Sequence, residues 1–316
     1  LELGGFGGLS GRFAPSSARR LRVRPDRPLD WIAVSSTSAS STGSSTGSSN
    51  WSAASSASEM DRKADAVVRS LSLFGILPGM VVAVVVAILV HPLVGLVALV
   101  VVAAGWAVSV RVRARASLDR VLEVSGASPM SVEQCPRWAN VVDGLGVTSG
   151  VNDAELWFLD VAEANAMAAA GQARSVLVVT RGLVEALSVV ELEGVAANLL
   201  GRIKDGTARY GTITFGLLGG LLGTVEPAGK LVADGLGEQA AVRSDLVAVA
   251  MTRYPPGLAQ ALERLDELGT AVPTAPPSMA QLWVAPTPPD GAGVDPAIAG
   301  TVLQSLSYRA AVLREL

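Results

Sequence analysis

Histidine and cysteine are almost absent from this chain, whose 316 residues include one of each, His91 and Cys135. A single cysteine excludes an intrachain disulfide and a cysteine-rich metal site. A single histidine excludes a zinc site with two histidine ligands from one chain. A serine- or cysteine-based triad would have to use His91. The usual donors of zinc sites and nucleophilic hydrolase sites are therefore nearly missing.

Charge is also sparse, since only 17% of the residues are Asp, Glu, Lys or Arg and the net charge is −3. A chain without a basic excess has no field that would attract nucleic acid, so we expect no nucleic-acid partner. Half of the residues are hydrophobic. This share is high for a soluble protein and indicates a membrane part.

One long stretch, residues 71–110, contains no charged side chain. As a helix rising about 1.5 Å per residue it would measure roughly 60 Å, about twice the thickness of a bilayer's hydrocarbon core. The pair His91–Pro92 divides it near the middle. We predict a transmembrane hairpin over residues 60–116, with spans at about 71–90 and 93–110, and the lipid bilayer as its partner.

The basic residues beside this hairpin predict its orientation. They lie on both outer flanks and none lies at the central turn; they are Arg62, Lys63, Arg69, Arg111, Arg113 and Arg115. By the positive-inside rule both ends are cytoplasmic. We therefore expect a multi-pass protein of the cell membrane whose large domain, residues 117–316, is cytoplasmic.

The first 59 residues differ from the rest, because they lead into a tract dominated by Ser, Thr, Gly and Ala. Such a tract buries too little apolar surface to offset the entropy of ordering it, so we expect disorder. The sequence begins with Leu, and Met60 is a plausible natural start.

The clearest helix of the large domain begins near residue 188. Ser188 and Glu191 have the spacing of a capping box. Apolar residues then recur at helical spacing along one face, at Leu192, Val195, Ala196, Leu199, Leu200 and Ile203.

Strands are predicted at 155–160 and 175–180, and an irregular Pro-rich loop at 273–296. The apolar residues 210–225 predict either a buried or interface-lying helix or a membrane insertion.

The stretch ELEGVAANLLGRIKDGT, residues 191–207, resembles the active-site helix of the HtpX-like and CAAX-prenyl-endopeptidase-like membrane zinc metallopeptidases, which carry EL-x-x-VLAHEL-x-HI-x-N-x-D. Asn198 and Arg202 stand where that family has its two zinc-binding histidines, and Leu199 stands where it has the general-base glutamate. The stretch from Ala241 to Asp245 resembles the family's E-x-x-A-D. Ala241 takes the place of the third ligand, and Asp245 is the retained acidic residue near the ligands.

This resemblance implies an α+β fold: a mainly helical, zincin-like peptidase domain with a small β-sheet, preceded by the transmembrane hairpin. It also implies a strand with a free edge beside the active helix, to which an extended peptide can add. We assign that edge to Val176, Leu177, Val178 and Val179.

The substitutions at the family's site predict a loss of chemistry. Asparagine is a poor zinc ligand, arginine repels a dication, and leucine cannot transfer a proton. We therefore expect no cofactor where the family has zinc, and a pseudopeptidase that binds peptide or membrane-protein clients. One alternative is an active metalloendopeptidase with a relocated, all-oxygen metal site drawn from Glu191, Glu193, Asp205, Glu238 and Asp245. The other is a purely structural membrane subunit.

Overall fold

The computed structural model describes residues 46–222, 224–286 and 293–316. Most of the segment expected to be disordered, residues 1–45, lies outside the described part. The boundary predicted at residue 59 is wrong, because helix α1 spans Thr46–Phe74 and takes in the end of the Ser-rich tract.

The predicted hairpin is built from α1, α2 (Ile76–Leu89) and α3 (Pro92–Arg115). Two stretches, Ser56–Leu89 and Pro92–Arg115, are long and apolar enough to cross a bilayer. Only 17% and 11% of their most apolar windows is buried within the protein. These two stretches could therefore span a membrane.

Small residues bring α2 and α3 together. A Cβ atom on Gly95 would lie 2.5 Å from the carbonyl oxygen of Ala83, so only glycine allows this backbone approach. Part of α1 packs instead on the large domain. Its residues Ala64 and Val67 belong to a buried cluster there, and Arg209 forms an ion pair with Asp61.

The sheet has four strands in the order β1-β2-β4-β3. They span Ser128–Pro129, Ala154–Leu159, Ala166–Ala170 and Ser175–Thr180 in chain order. Strand β4 pairs in parallel with β2 and antiparallel with β3. The prediction of a free edge at Val176–Val179 is therefore wrong: these residues lie in the interior strand β4 and are fully buried. The edge next to the helices is β3.

Ten further helices surround the sheet within the described residues. They are α4 (Ser117–Ser125), α5 (Pro136–Ser149), α6 (Arg181–Ala186), α7 (Val189–Lys204), α8 (Thr207–Leu218), α9 (Glu226–Leu236), α10 (Ala240–Thr252), α11 (Pro255–Leu268), α12 (Pro296–Thr301) and α13 (Leu306–Arg314). The domain is thus mainly helical with a small mixed sheet.

Helix α7 lies at the centre of the domain, against α5, α10, α11 and β3. Its predicted capping box is present, with Ser188 and Glu191 each accepting from the other's backbone N–H. The predicted apolar face is buried in the main core, except for a partly buried Ile203. Gly194 lets α11 approach closely, since a Cβ there would lie 2.8 Å from the backbone nitrogen of Leu258.

The predictions for two further segments, residues 210–225 and 273–296, compare differently with the structure. Helix α8 is largely buried between α1, α4 and β3, in accord with a buried helix over the first part of residues 210–225. The Pro-rich stretch 273–296 is more ordered than expected. It contains a 3-10 helix, Pro277–Leu282, and Trp283 pairs antiparallel with Met167 of β3. Its residues 287–292 lie outside the described part.

Candidate functional site

Four polar side chains meet in the interior where α7, α10 and α13 converge. Asn198 and Arg202 come from α7, Asp245 from α10 and Arg309 from α13. All four are at most 8% exposed. Because buried charges are costly unless they are paired, the contacts of this cluster decide what the site can do.

Asp245 is held by two partners. Arg309 forms a bidentate ion pair with Asp245. The Arg309 Nε lies 2.7 Å from Oδ2 of Asp245, and the Arg309 Nη2 lies 2.7 Å from Oδ1. The Asn198 side-chain amide donates to Oδ1 at 2.9 Å. These contacts tie α7, α10 and α13 together.

Arg202 has no such acidic partner within the described residues. Its Nη1 donates to the carbonyl oxygens of Leu282 at 2.9 Å and Trp283 at 3.3 Å, and its Nη2 donates to that of Gln281. Burial lowers the pKa of Arg202 to about 10. That value is far above neutral pH, so the side chain stays a cation.

The chain segment whose carbonyl groups bind Arg202 also covers the edge of the sheet. The Val284 backbone N–H donates to the Ala166 carbonyl oxygen at 2.8 Å, next to the pairing of Met167 with Trp283. Asn165 anchors the segment further, accepting from the Ala285 N–H at 3.2 Å and donating to its carbonyl oxygen at 3.1 Å. Residues 283–285 therefore lie along the β3 edge, joined to it by one isolated antiparallel bridge and the bonds of Val284 and Ala285.

The structure brings together three of the four degenerate positions named from the sequence. Asn198, Arg202 and Ala241 line one cavity of about 30 Å³. This is room for one or two water-sized species. Leu199 lies elsewhere, fully buried in the hydrophobic core.

Three of the acidic residues considered for a relocated metal site are bonded to other groups. Glu191 belongs to the capping box, Asp205 accepts from Thr207, and Asp245 is paired with Arg309. Burial raises the pKa of Asp205. In the described part of the chain no three His, Cys, Asp or Glu side chains are grouped to hold a metal ion. The residues at the family's ligand positions do not fit zinc either, because a buried guanidinium stands among them.

Sequence reasoning missed two features of this site. The partner of Asp245 is Arg309, 64 positions further along the chain, and no local spacing in the sequence marks this pair. The carbonyl groups of residues 281–283 were not foreseen at all. Backbone acceptors leave no signal in a sequence.

The buried ion pair yields a stability prediction. Arg309→Met leaves the Asp245 carboxylate buried without its cation, so we expect the free energy of unfolding to fall by about 3–5 kcal/mol. Replacing both partners, with Asp245→Leu added, should cost less than Arg309→Met alone. Denaturant unfolding in detergent, followed by tryptophan fluorescence, measures both.

The matched control lies on the same helix. Arg314→Met removes an exposed ion pair with Glu263 and should cost at most about 1 kcal/mol. If Arg309→Met costs no more than Arg314→Met, the buried pair does not support the fold as described.

Comparison with known proteins finds relatives of one kind. The chain is 28% identical to a protease HtpX homolog of Dictyoglomus thermophilum over 197 residues, which cover 52% of this chain and 65% of that protein. It is 30% identical to the protease HtpX homolog of Dictyoglomus turgidum (47% and 60% covered). It is 29% identical to that of Tropheryma whipplei strain Twist (53% and 69% covered). The match thus spans just under two thirds of the Dictyoglomus proteins. No protein-family model and no solved structure matches the chain.

Proposed function

We propose, from the premise that this chain belongs to the HtpX-like family, that it is a membrane-anchored pseudopeptidase which binds a peptide or membrane-protein client without cutting it. Its large domain has the zincin-like fold of that family. The observation that carries this proposal is the buried guanidinium of Arg202 at a predicted ligand position, bound to backbone carbonyls of residues 281–283.

The contacts of the site oppose metal-dependent hydrolysis. A unit positive charge about 4 Å from another costs roughly 4 kcal/mol at an effective dielectric constant of 20, and a dication doubles this. The Asn198 amide is already bonded to Asp245. The aliphatic Leu199 cannot activate water. Each element of the family's chemistry is therefore replaced by a group with a structural role.

Zinc content and hydrolysis test the absence of catalysis. We expect the detergent-purified protein, equilibrated with zinc and then desalted, to hold no stoichiometric zinc and to leave casein uncut. The matched variant restores the family pattern with Asn198→His, Leu199→Glu, Arg202→His and Ala241→Glu. It should retain zinc, because its three ligands face the same cavity. Stoichiometric, tightly held zinc in the unaltered chain would overturn the proposal.

The β3 edge determines how a client could bind. An extended peptide adds to a sheet through main-chain hydrogen bonds at a free edge. Residues 283–285 of the chain itself lie along that edge. We infer that a client strand takes the place of this segment. The same coverage favours the second candidate function, a structural membrane subunit whose cleft is permanently closed.

A reversible covalent lock separates these two functions. Met167 and Trp283 lie opposite each other, and directly opposed residues of antiparallel strands are close enough for a disulfide. The variant Met167→Cys/Trp283→Cys is made with Cys135→Ala, so that no third thiol competes. Peptides captured from a random library should bind the reduced form and be lost on oxidation.

The reduced form of the same protein is the control for the two substitutions. Equal capture by both forms would show that clients do not use the β3 edge. Capture by neither this protein nor the unaltered chain would favour the structural subunit.

We further propose that both ends of the hairpin and the large domain are cytoplasmic, on the strength of Arg113 and Arg115 in the last turn of α3. Cys135 is a poor reporter, because it is buried and burial raises the pKa of its thiol. In a Cys135→Ala background, Val90→Cys at the turn should react with an impermeant maleimide in intact cells. Val147→Cys, on the exposed face of α5, should react only after lysis. The reverse pattern would invert the topology.

A further inference from the structure

We propose that the open cleft beside the end of α3 is a binding site for an anionic phospholipid from the membrane leaflet that faces the large domain. The cleft has a volume of about 800 Å³. It is lined by the last turn of α3, by α4, by the end of α8 with residues 219–221, and by Pro276 and Ser278. This inference rests on the membrane anchoring of the proposed function and does not depend on client binding.

The place of the cleft along the apolar helices follows from α3. The Trp106 indole Nε1 donates to the Leu71 carbonyl oxygen of α1 at 2.8 Å, so these two residues lie at one level of the hairpin. Arg113 follows Trp106 by about two helical turns, or roughly 10 Å. Gly216 of α8 packs there against Ser117 with no room for a Cβ atom. Tryptophan favours the headgroup level of a bilayer, so with α3 spanning the membrane the cleft lies at the boundary between lipid and domain.

The unpaired charge of the cleft wall is mainly positive. Arg113 and Arg120 line it, are both exposed, and form no ion pair within the described residues. Asp119 is bound by Arg174 at 3.3 Å. In the described part of the chain this leaves Glu123 as the one lining carboxylate without an ion pair. Two unpaired guanidinium groups against one carboxylate favour an anion, and guanidinium groups match phosphate oxygens in geometry.

Apolar side chains form another part of the same wall. They are Val124, Phe215, Leu217 and Leu221. Leu221 is 45% exposed, and Leu217 packs on the same buried cluster as Ala114, which follows Arg113 on α3. A phosphate ester without a hydrocarbon chain would use the arginines alone. A phospholipid uses both parts of the wall, its phosphate on the arginines and its acyl chain on the apolar side chains.

The first measurement tests the membrane anchoring by itself. The full-length chain is reconstituted into vesicles of phosphatidylcholine and phosphatidylglycerol, which are then washed with alkaline carbonate. We expect the protein to stay with the vesicles. Its release would overturn the anchoring proposed above, and the lipid site with it.

The second measurement tests the lipid site. The thermal midpoint of the full-length chain in a neutral detergent is followed while phosphatidylglycerol, phosphatidylcholine or glycerol phosphate is added. We expect a saturating rise with phosphatidylglycerol, since a ligand that binds only the folded state stabilises it by mass action, and a smaller rise with phosphatidylcholine. Glycerol phosphate, which has no acyl chain, should give none. An equal rise with glycerol phosphate or phosphatidylcholine, or no rise with phosphatidylglycerol in a protein that resists carbonate, would overturn the lipid site alone.

Two matched pairs of substitutions locate the effect. Arg113→Gln/Arg120→Gln removes both arginines of the wall, so the phosphatidylglycerol concentration at half effect should rise about thirtyfold, roughly a factor of five for each basic residue. Arg111→Gln/Arg115→Gln is the control. It removes the same charge from exposed positions on either side of Arg113 that do not line the cleft, and should change that concentration much less. An equal shift in both variants would show attraction to the membrane surface at large and would overturn the site.

Discussion

The bond between the Arg202 guanidinium and the carbonyl oxygens of residues 281–283 is the interaction on which the rest of the domain depends. It joins the central helix α7 to the segment that closes the sheet. A guanidinium presents several N–H donors in one plane, so a single side chain can serve consecutive carbonyl groups. Without it these carbonyls would be buried with fewer donors, and the segment on β3 would lose its support from the helix side.

The polar cluster joins three helices at the place where the family resemblance predicts the metal ligands. A zinc ion would link its ligand helices through coordination bonds. Here Asp245 links α7, α10 and α13 through Asn198 and Arg309. A buried ion pair with good geometry holds elements in one arrangement, although its net contribution to stability is smaller than its contact energy.

Helix α1 connects the apolar hairpin to the domain. The apolar residues of α2 and α3 are largely exposed, while Ala64 and Val67 of α1 are buried against the domain. The ion pair of Arg209 with Asp61 fixes the same contact from the polar side. The packing of α1 therefore joins the apolar helices directly to the domain.

The sequence by itself determined the elements whose signals are local. The uncharged run fixed the hairpin, and the spacing from Ser188 to Leu200 fixed the capping box and the buried face of α7, because helical hydrogen bonds join residues four apart. The family pattern also led to three residues, Asn198, Arg202 and Ala241, that line one cavity.

Tertiary structure alone decided the rest. Strand order placed Val176–Val179 inside the sheet, since pairing depends on contacts between distant segments. It also gave Asp245 its partner Arg309, 64 positions away, and it brought the carbonyls of residues 281–283 to Arg202. Backbone acceptors are the same in every residue, so no sequence pattern marks the ones that a buried cation will use.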